Sequence, residues 1–123
     1  SVIDGLALYD VMAAVSCPIR TVCVGMAASM GSLLFAAGNE RDILPHAKVM
    51  IHDPLTTGIS GSALSVEEAG RRLMETREIT ASILAGHTGH TIEEVYEKTK
   101  KDSYFNAQEA VAWGLADRII TEI

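Results

Sequence analysis

Ser29 stands in the stretch GMAASMGS, residues 25–32, with the apolar run IRTVCVG before it and LLFAAG after it. A hydroxyl at the junction of a buried strand and a helix has two uses. It can cap the helix, accepting from a backbone N–H of the first turn. Alternatively, a sharp turn exposes it as a nucleophile, small neighbours let a substrate approach, and the unpaired N–H groups of the helix start hold a developing oxyanion. The stretch is not the GxSxG elbow, because Gly25 lies four residues before the serine and Gly31 two after it. From this stretch alone, capping is the commoner use of such a serine.

A serine nucleophile needs a general base. The four histidines are His46, His52, His87 and His90. His87 and His90 flank the turn HTGH, where surface exposure explains them, and His46 follows Pro45 in a connector. His52 differs: it ends the strand pattern KVMI and precedes Asp53-Pro54. The rim of a parallel sheet is where such sheets place their sites. A histidine merely hydrogen-bonded at a strand end is the competing reading. A third group, a carboxylate, must orient the imidazole. Asp53 is adjacent in sequence, but successive strand residues face opposite ways. Among the sixteen acids, composition and spacing leave Asp42, Asp102 and Asp117 open.

The elements that must position these groups can be traced along the chain. Residues 4–16, DGLALYDVMAAVS, read as a helix with Asp4 as its cap and Leu8, Met12 and Val15 at helical spacing; Cys17-Pro18 ends it. IRTVCVGMA, 19–27, reads as one buried strand rich in β-branched residues. A helix follows from Ser29, with Met30, Leu33, Leu34 and Ala37 on one face and Gly38 after its end. RDIL and KVMIH read as strands, and DPLTTGISGSALS as a loop or loose ribbon. Ser65 with Glu68 has the pattern of a capping box, predicting a helix to about Ala85, roughly 30 Å long. Its stripe is Val66, Ala69, Leu73, Ile83 and Leu84, and Gly86-His87-Thr88-Gly89 breaks it. Thr91 with Glu94 and Asn106 with Glu109 open two further helices, to about Lys100 and Gly114, and ADRIITE closes as a strand. The alternation predicts an α/β domain with a largely parallel sheet. A chain that opens directly on a helix also leads to the expectation of an N-terminal portion ahead of Ser1.

Composition narrows the function classes. The 123 residues suffice for one domain, and 48% hydrophobic against 5% aromatic content predicts an aliphatic core. A net charge of −6, with the basic residues scattered, argues against nucleic acid. No apolar run is long enough to span a membrane. Cys17 and Cys23 have no CxxC neighbour and no histidine cluster, so neither zinc nor a disulfide is expected, and a reducing compartment fits better.

Four stretches together resemble the ClpP family, the proteolytic subunits of the Clp proteases: LALYDVM, GMAASMGS, VMIHDPL and KKDSYFNAQEAVAWGLAD. The resemblance covers nearly the whole chain as a single peptidase domain, residues 1–123, corresponding to the C-terminal two-thirds of the family domain. It implies the crotonase-like fold, an α/β architecture of repeated β-β-α units with a protruding handle helix, here about residues 53–85. It implies Ser29 as nucleophile, His52 as base and Asp102 as orienter, with the N–H of Met30 as one oxyanion donor and a glycine of an SPGG-like stretch preceding Ser1 as the other. Many family members carry glutamine at the position of Asp53, and a carboxylate there is expected to raise the pKa of His52. Met26, Met50 and Leu55 would favour hydrophobic side chains in the primary pocket.

The family's activity is ATP-dependent serine endopeptidase cleavage of unfolded polypeptides inside two stacked heptameric rings. Substrates are fed by an AAA+ unfoldase of the ClpX, ClpA or ClpC type, and the peptidase needs neither metal nor other cofactor. The resemblance places such a chain in the bacterial cytoplasm, or in the mitochondrial matrix or plastid stroma. Two other readings stay open: a non-catalytic scaffold subunit of such a ring, and an acyl-CoA hydratase or isomerase of the same superfold, which would use carboxylates rather than a serine and histidine.

Overall fold

The computed structural model describes residues 1–123. Helix α1 spans Val2–Ala14. Its cap is Ser1, whose hydroxyl accepts from the Asp4 N–H; the expected cap, Asp4, lies inside the first turn, where its charge suits the helix dipole. The predicted strand 19–27 is two strands, β1 (Arg20–Cys23) and β2 (Met26–Ala28), which enter different sheets. Gly25 makes the break, at φ +73°. The chain continues through α2 (Met30–Ala36), β3 (Glu40–Ile43), β4 (Lys48–Ile51), α3 (Ala63–Thr88), α4 (Ile92–Thr99), β5 (Ser103–Phe105), α5 (Ala107–Trp113) and β6 (Arg118–Ile119).

The fold is a mixed α/β arrangement, with two three-stranded sheets in place of the one predicted. One has the order β1-β3-β6, all parallel; the other is β2-β4-β5, with β2 and β4 parallel and β5 antiparallel. Two β-β-α units build the first half, β1-β2-α2 and β3-β4-α3. In each, the first strand joins the first sheet and the second strand joins the second. The connecting turns repeat one contact: Leu44 N–H donates to the Cys23 carbonyl, and Lys48 N–H to that of Gly25.

The core is aliphatic, as composition requires. Ile43, Val49, Ile51, Val95 and Leu115 are at most 1% exposed, and Phe35 and Phe105 are its only aromatic members. Helix α3 runs 26 residues, about 39 Å at ~1.5 Å per residue. Only Thr80, Ala81 and Leu84 of it are buried, so most of its length extends beyond the core. It begins three residues earlier than the capping-box pattern indicates. Ser62 is the cap, accepting from Ser65 N–H, while Glu68 is held by Arg71 and Arg72. It also passes through Gly86 and ends only at Gly89, whose φ of +80° supplies the left-handed stop. The capping boxes at Thr91/Glu94 and Asn106/Glu109 form as the sequence pattern predicts.

Arginines tie the first sheet to the helices. Asp42 on β3 is fully buried, bridging Arg20 of β1 and Arg118 of β6 at 2.6 and 2.7 Å. Those guanidiniums hold its carboxyl below the usual range, Arg118 contributing most. Arg41 donates to the His87 and Gly114 carbonyls and pairs with Asp117, closing the C-terminal ends of α3 and α5 with one side chain.

Candidate active site

Ser29 sits between β2 and α2 with φ 57° and ψ −122°, the only non-glycine residue with positive φ. For a residue with a Cβ this conformation is strained, and such strain persists only where surrounding contacts enforce it. Those contacts are identifiable. Ser29 N–H donates to the Met50 carbonyl of β4 at 3.0 Å. Its carbonyl accepts from Ser32 twice, from the N–H at 3.0 Å and from the hydroxyl at 2.5 Å. Ser32 is completely buried. The backbone is thus clamped on both sides, and the side chain is turned outward. Ser29 occupies the N-cap position of α2, but its hydroxyl makes no capping bond and the residue is exposed. Sequence reasoning missed the clamp by Ser32; its signal is a hydroxyl inside the otherwise apolar helix MGSLLFA.

His52 arrives from the neighbouring strand. In the parallel pairing of β2 with β4, Ala28 lies opposite Met50. Ser29 directly follows Ala28 and His52 lies two residues past Met50, so both come to the carboxyl ends of two adjacent parallel strands. Ser29, Met30 and His52 line a small cavity floored by Ser32, Leu33 and Leu84. The same three residues line a neighbouring cleft of about 480 Å³, walled by Val2, Gly31, Pro54 and Leu55 as well. As the first residue of α2, Met30 has an N–H without an intrahelical partner. Its side chain packs against α1: a Cβ added to the buried Gly5 would come within 2.6 Å of Met30 Cε, so a larger residue there would require the methionine side chain to shift. Of the expected pocket residues, Leu55 lines this cleft and Met26 lines another, beside β1.

The other histidines have other employment. His46 is exposed. His87 lies within α3, where its Nε2 is 2.9 Å from the Tyr9 hydroxyl; burial, aided by Arg41, pushes its pKa below the ordinary value. His90 stacks on Trp113 with ring centroids 3.9 Å apart, its nitrogens against Glu94 and the Trp113 carbonyl. His87 and His90 are therefore partly buried and bonded, contrary to the expectation of exposed turn residues. His52 is half-buried, and its Nδ1 is a buried polar atom with no hydrogen-bond partner.

The three open carboxylates now separate. Asp42 and Asp117 belong with the β1-β3-β6 sheet, engaged by Arg20 and Arg118 and by Arg41. Asp102 precedes β5, a strand not visible in the sequence. β5 runs antiparallel to β4 with Ile51 opposite Ser103. His52 and Asp102 each lie one residue beyond that pair, at the same end of the ladder. Asp102 is exposed and His52 Nδ1 unpartnered, so the two side chains are not joined in this conformation. Asp53, expected to charge the base directly, instead directs its carboxylate to Arg77 Nε at 3.0 Å and accepts from Thr99 Oγ1 at 2.9 Å.

No group of three or more His, Cys, Asp and Glu side chains is placed to hold a metal ion. Cys17 is exposed and Cys23 buried, both as free thiols. No helix is long and apolar enough to cross a membrane. The arrangement offers a strained, uncapped serine hydroxyl, an imidazole on the adjacent strand end, an unpaired helix-start N–H and a carboxylate just ahead of the strand that pairs with the histidine's. These are components suited to acyl transfer. The sequence model of the Clp protease family matches this chain over residues 1–123.

Proposed function

The chain belongs to the Clp protease family, and from that premise we propose that it is a ClpP-type serine endopeptidase subunit in which Ser29 is the nucleophile. The observation that carries this reading is the backbone of Ser29: φ 57° holds the hydroxyl out of the cap position and toward the cleft it shares with His52. A serine used only as a cap would accept from its helix and need no strain.

In this reading His52 takes the Ser29 proton as Oγ attacks the scissile carbonyl, and the Met30 N–H stabilises the oxyanion. His52 then protonates the leaving amine, and water, activated by the same imidazole, resolves the acyl-enzyme. Asp102 rotates across the β4–β5 register to accept from His52 Nδ1–H, fixing the tautomer and stabilising the imidazolium. The unpartnered Nδ1 supports this step, because a buried ring nitrogen without a hydrogen-bond partner is costly and marks an incomplete contact. The protruding α3 would carry the contact between two stacked heptameric rings, and unfolded polypeptides would be delivered by an AAA+ unfoldase of the ClpX, ClpA or ClpC type.

The test is intact mass after exposure to a fluorophosphonate probe, with Ser29→Ala and His52→Ala as controls. One adduct on the wild-type chain, absent from both variants, is the expected result. A folded, assembled sample that takes no adduct refutes the assignment and favours a scaffold subunit.

A further inference from the structure

His52 lies one residue beyond the last pair of the β4–β5 ladder, Ile51 with Ser103. The sheet therefore fixes the chain as far as Ile51 and leaves the histidine peptide to be held from its other side. Asp53 holds it. This residue is bound three times, in three directions. Its N–H donates to the Thr99 carbonyl at 3.1 Å, at the end of α4. Its Oδ1 accepts from Thr99 Oγ1 at 2.9 Å. Its Oδ2 accepts from Arg77 Nε at 3.0 Å, on α3. Arg77 is itself fixed, its guanidinium 3.9 Å above the Tyr96 ring of α4. Both members of the pair are mostly sheltered, at 23% and 33% side-chain exposure. A carboxylate held through both oxygens and its own backbone leaves its peptide little rotational freedom, and that peptide is shared with His52.

We propose that Arg77 is a positioning residue for His52, acting through Asp53, and that the Arg77–Asp53 pair couples the orientation of helix α3 to the imidazole. The inference deepens the reading of Ser29 and His52 as the reacting pair and rests on it for its catalytic consequence. The geometric coupling stands on the hydrogen bonds alone. Thr99 is the fixed end of this linkage, since its hydroxyl also contacts the Val95 carbonyl of its own helix. Arg77 is the movable end, because most of α3 stands clear of the core. A small rotation of α3 would thus move Asp53 and, one bond later, the base.

The test uses the full assembled chain with Arg77→Gln, Asp53→Asn and the charge exchange Arg77→Asp/Asp53→Arg. Two readouts are taken across pH. One is kcat and KM for a fluorogenic peptide. The other is the rate at which diethyl pyrocarbonate modifies His52, read by peptide mass, which needs no activity. Assembly is checked by native mass. For Arg77→Gln, kcat should fall about tenfold at unchanged KM, in line with the cost of a misplaced catalytic group. His52 should be modified several-fold faster, because its peptide loses one of its anchors. The charge exchange should recover part of both losses, which a merely structural role would not produce. Unchanged His52 modification and unchanged kcat in an assembled Arg77→Gln variant overturn the proposal, as does a charge exchange no better than the worse single variant. If the wild-type chain lacks peptidase activity while His52 modification still responds to Arg77→Gln, the coupling stands and the peptidase reading fails.

Discussion

Replacing Ser29 by glycine should stabilise the protein while abolishing its chemistry. The strain of a non-glycine residue at φ 57°, ψ −122° costs about 1–3 kcal/mol. Glycine at that φ is unstrained, and because the Ser29 hydroxyl makes no capping bond, its removal sacrifices none. Against this gain stands the greater freedom of glycine in the unfolded chain, about 0.5–1 kcal/mol. The net expectation is a stabilisation of about 0.5–2 kcal/mol. With a urea m-value of about 2 kcal/mol/M, the midpoint should rise by about 0.3–1 M. Ser29→Ala is the essential control, since it removes the same hydroxyl but keeps the Cβ and its strain; it should fall within about 0.5 kcal/mol of wild type. The assay is equilibrium urea unfolding of the three proteins at one concentration, because assembly would otherwise shift the midpoint. A glycine variant no more stable than the alanine variant refutes the idea that strain is stored at Ser29.

Asp42→Asn should cost about 2–4 kcal/mol in thermal or urea unfolding, because it strips the shared partner from Arg20 and Arg118; the partial exposure of both arginines, 35% and 60%, keeps the cost near the lower end. The carboxyl's pKa is depressed in the fold, so the unfolded chain binds the proton first: this contribution is full above about pH 4 and lost as pH falls through the folded value, and the variant should lack that acid loss. His87 works in the same direction at higher pH. Its folded pKa lies below the ordinary value, so acidification below about pH 6.5 protonates the unfolded state preferentially and lowers stability, and His87→Gln should flatten that slope. Gly114→Ala should destabilise by several kcal/mol, about 2–4, since a Cβ there would run into the Thr88 carbonyl oxygen and φ is +93°. Asp102→Asn should leave unfolding unchanged, as the side chain is exposed, but lower kcat by about 10²–10⁴-fold in the peptide assay.

Much of the fold is legible where its chemistry is local. The boxes at Thr91/Glu94 and Asn106/Glu109 close within four residues, so the pattern alone determines them. The third pattern fails for an equally local reason: two arginines one turn beyond Glu68 hold its carboxylate, and Ser62 caps instead. Gly86 resembles a break because its intrinsic preference is against helix, yet Leu84 and Ala81 bury that end of α3 and outweigh it. β5 is invisible in the sequence because three residues cannot show an alternation, and its pairing partner lies about fifty residues away. That omission also hides why Asp102 differs from Asp42 and Asp117. Ser29 is legible as a junction serine, but whether it caps depends on Met50 and Ser32 contacts that spacing does not encode.

The late position of β5 has a consequence during synthesis. β2 and β4, with the serine turn and the histidine, are complete once residue 52 has emerged, and α3 can form soon after. Residues 103–105, which cover the other side of β4, come some fifty residues later, an interval of several seconds at ~5–20 residues per second. Through that interval the histidine strand is an open edge, its N–H and C=O groups free to pair with any extended chain nearby. The nascent protein is thus most adhesive before its second sheet can close, and a chain cut short ahead of β5 would retain that open edge permanently.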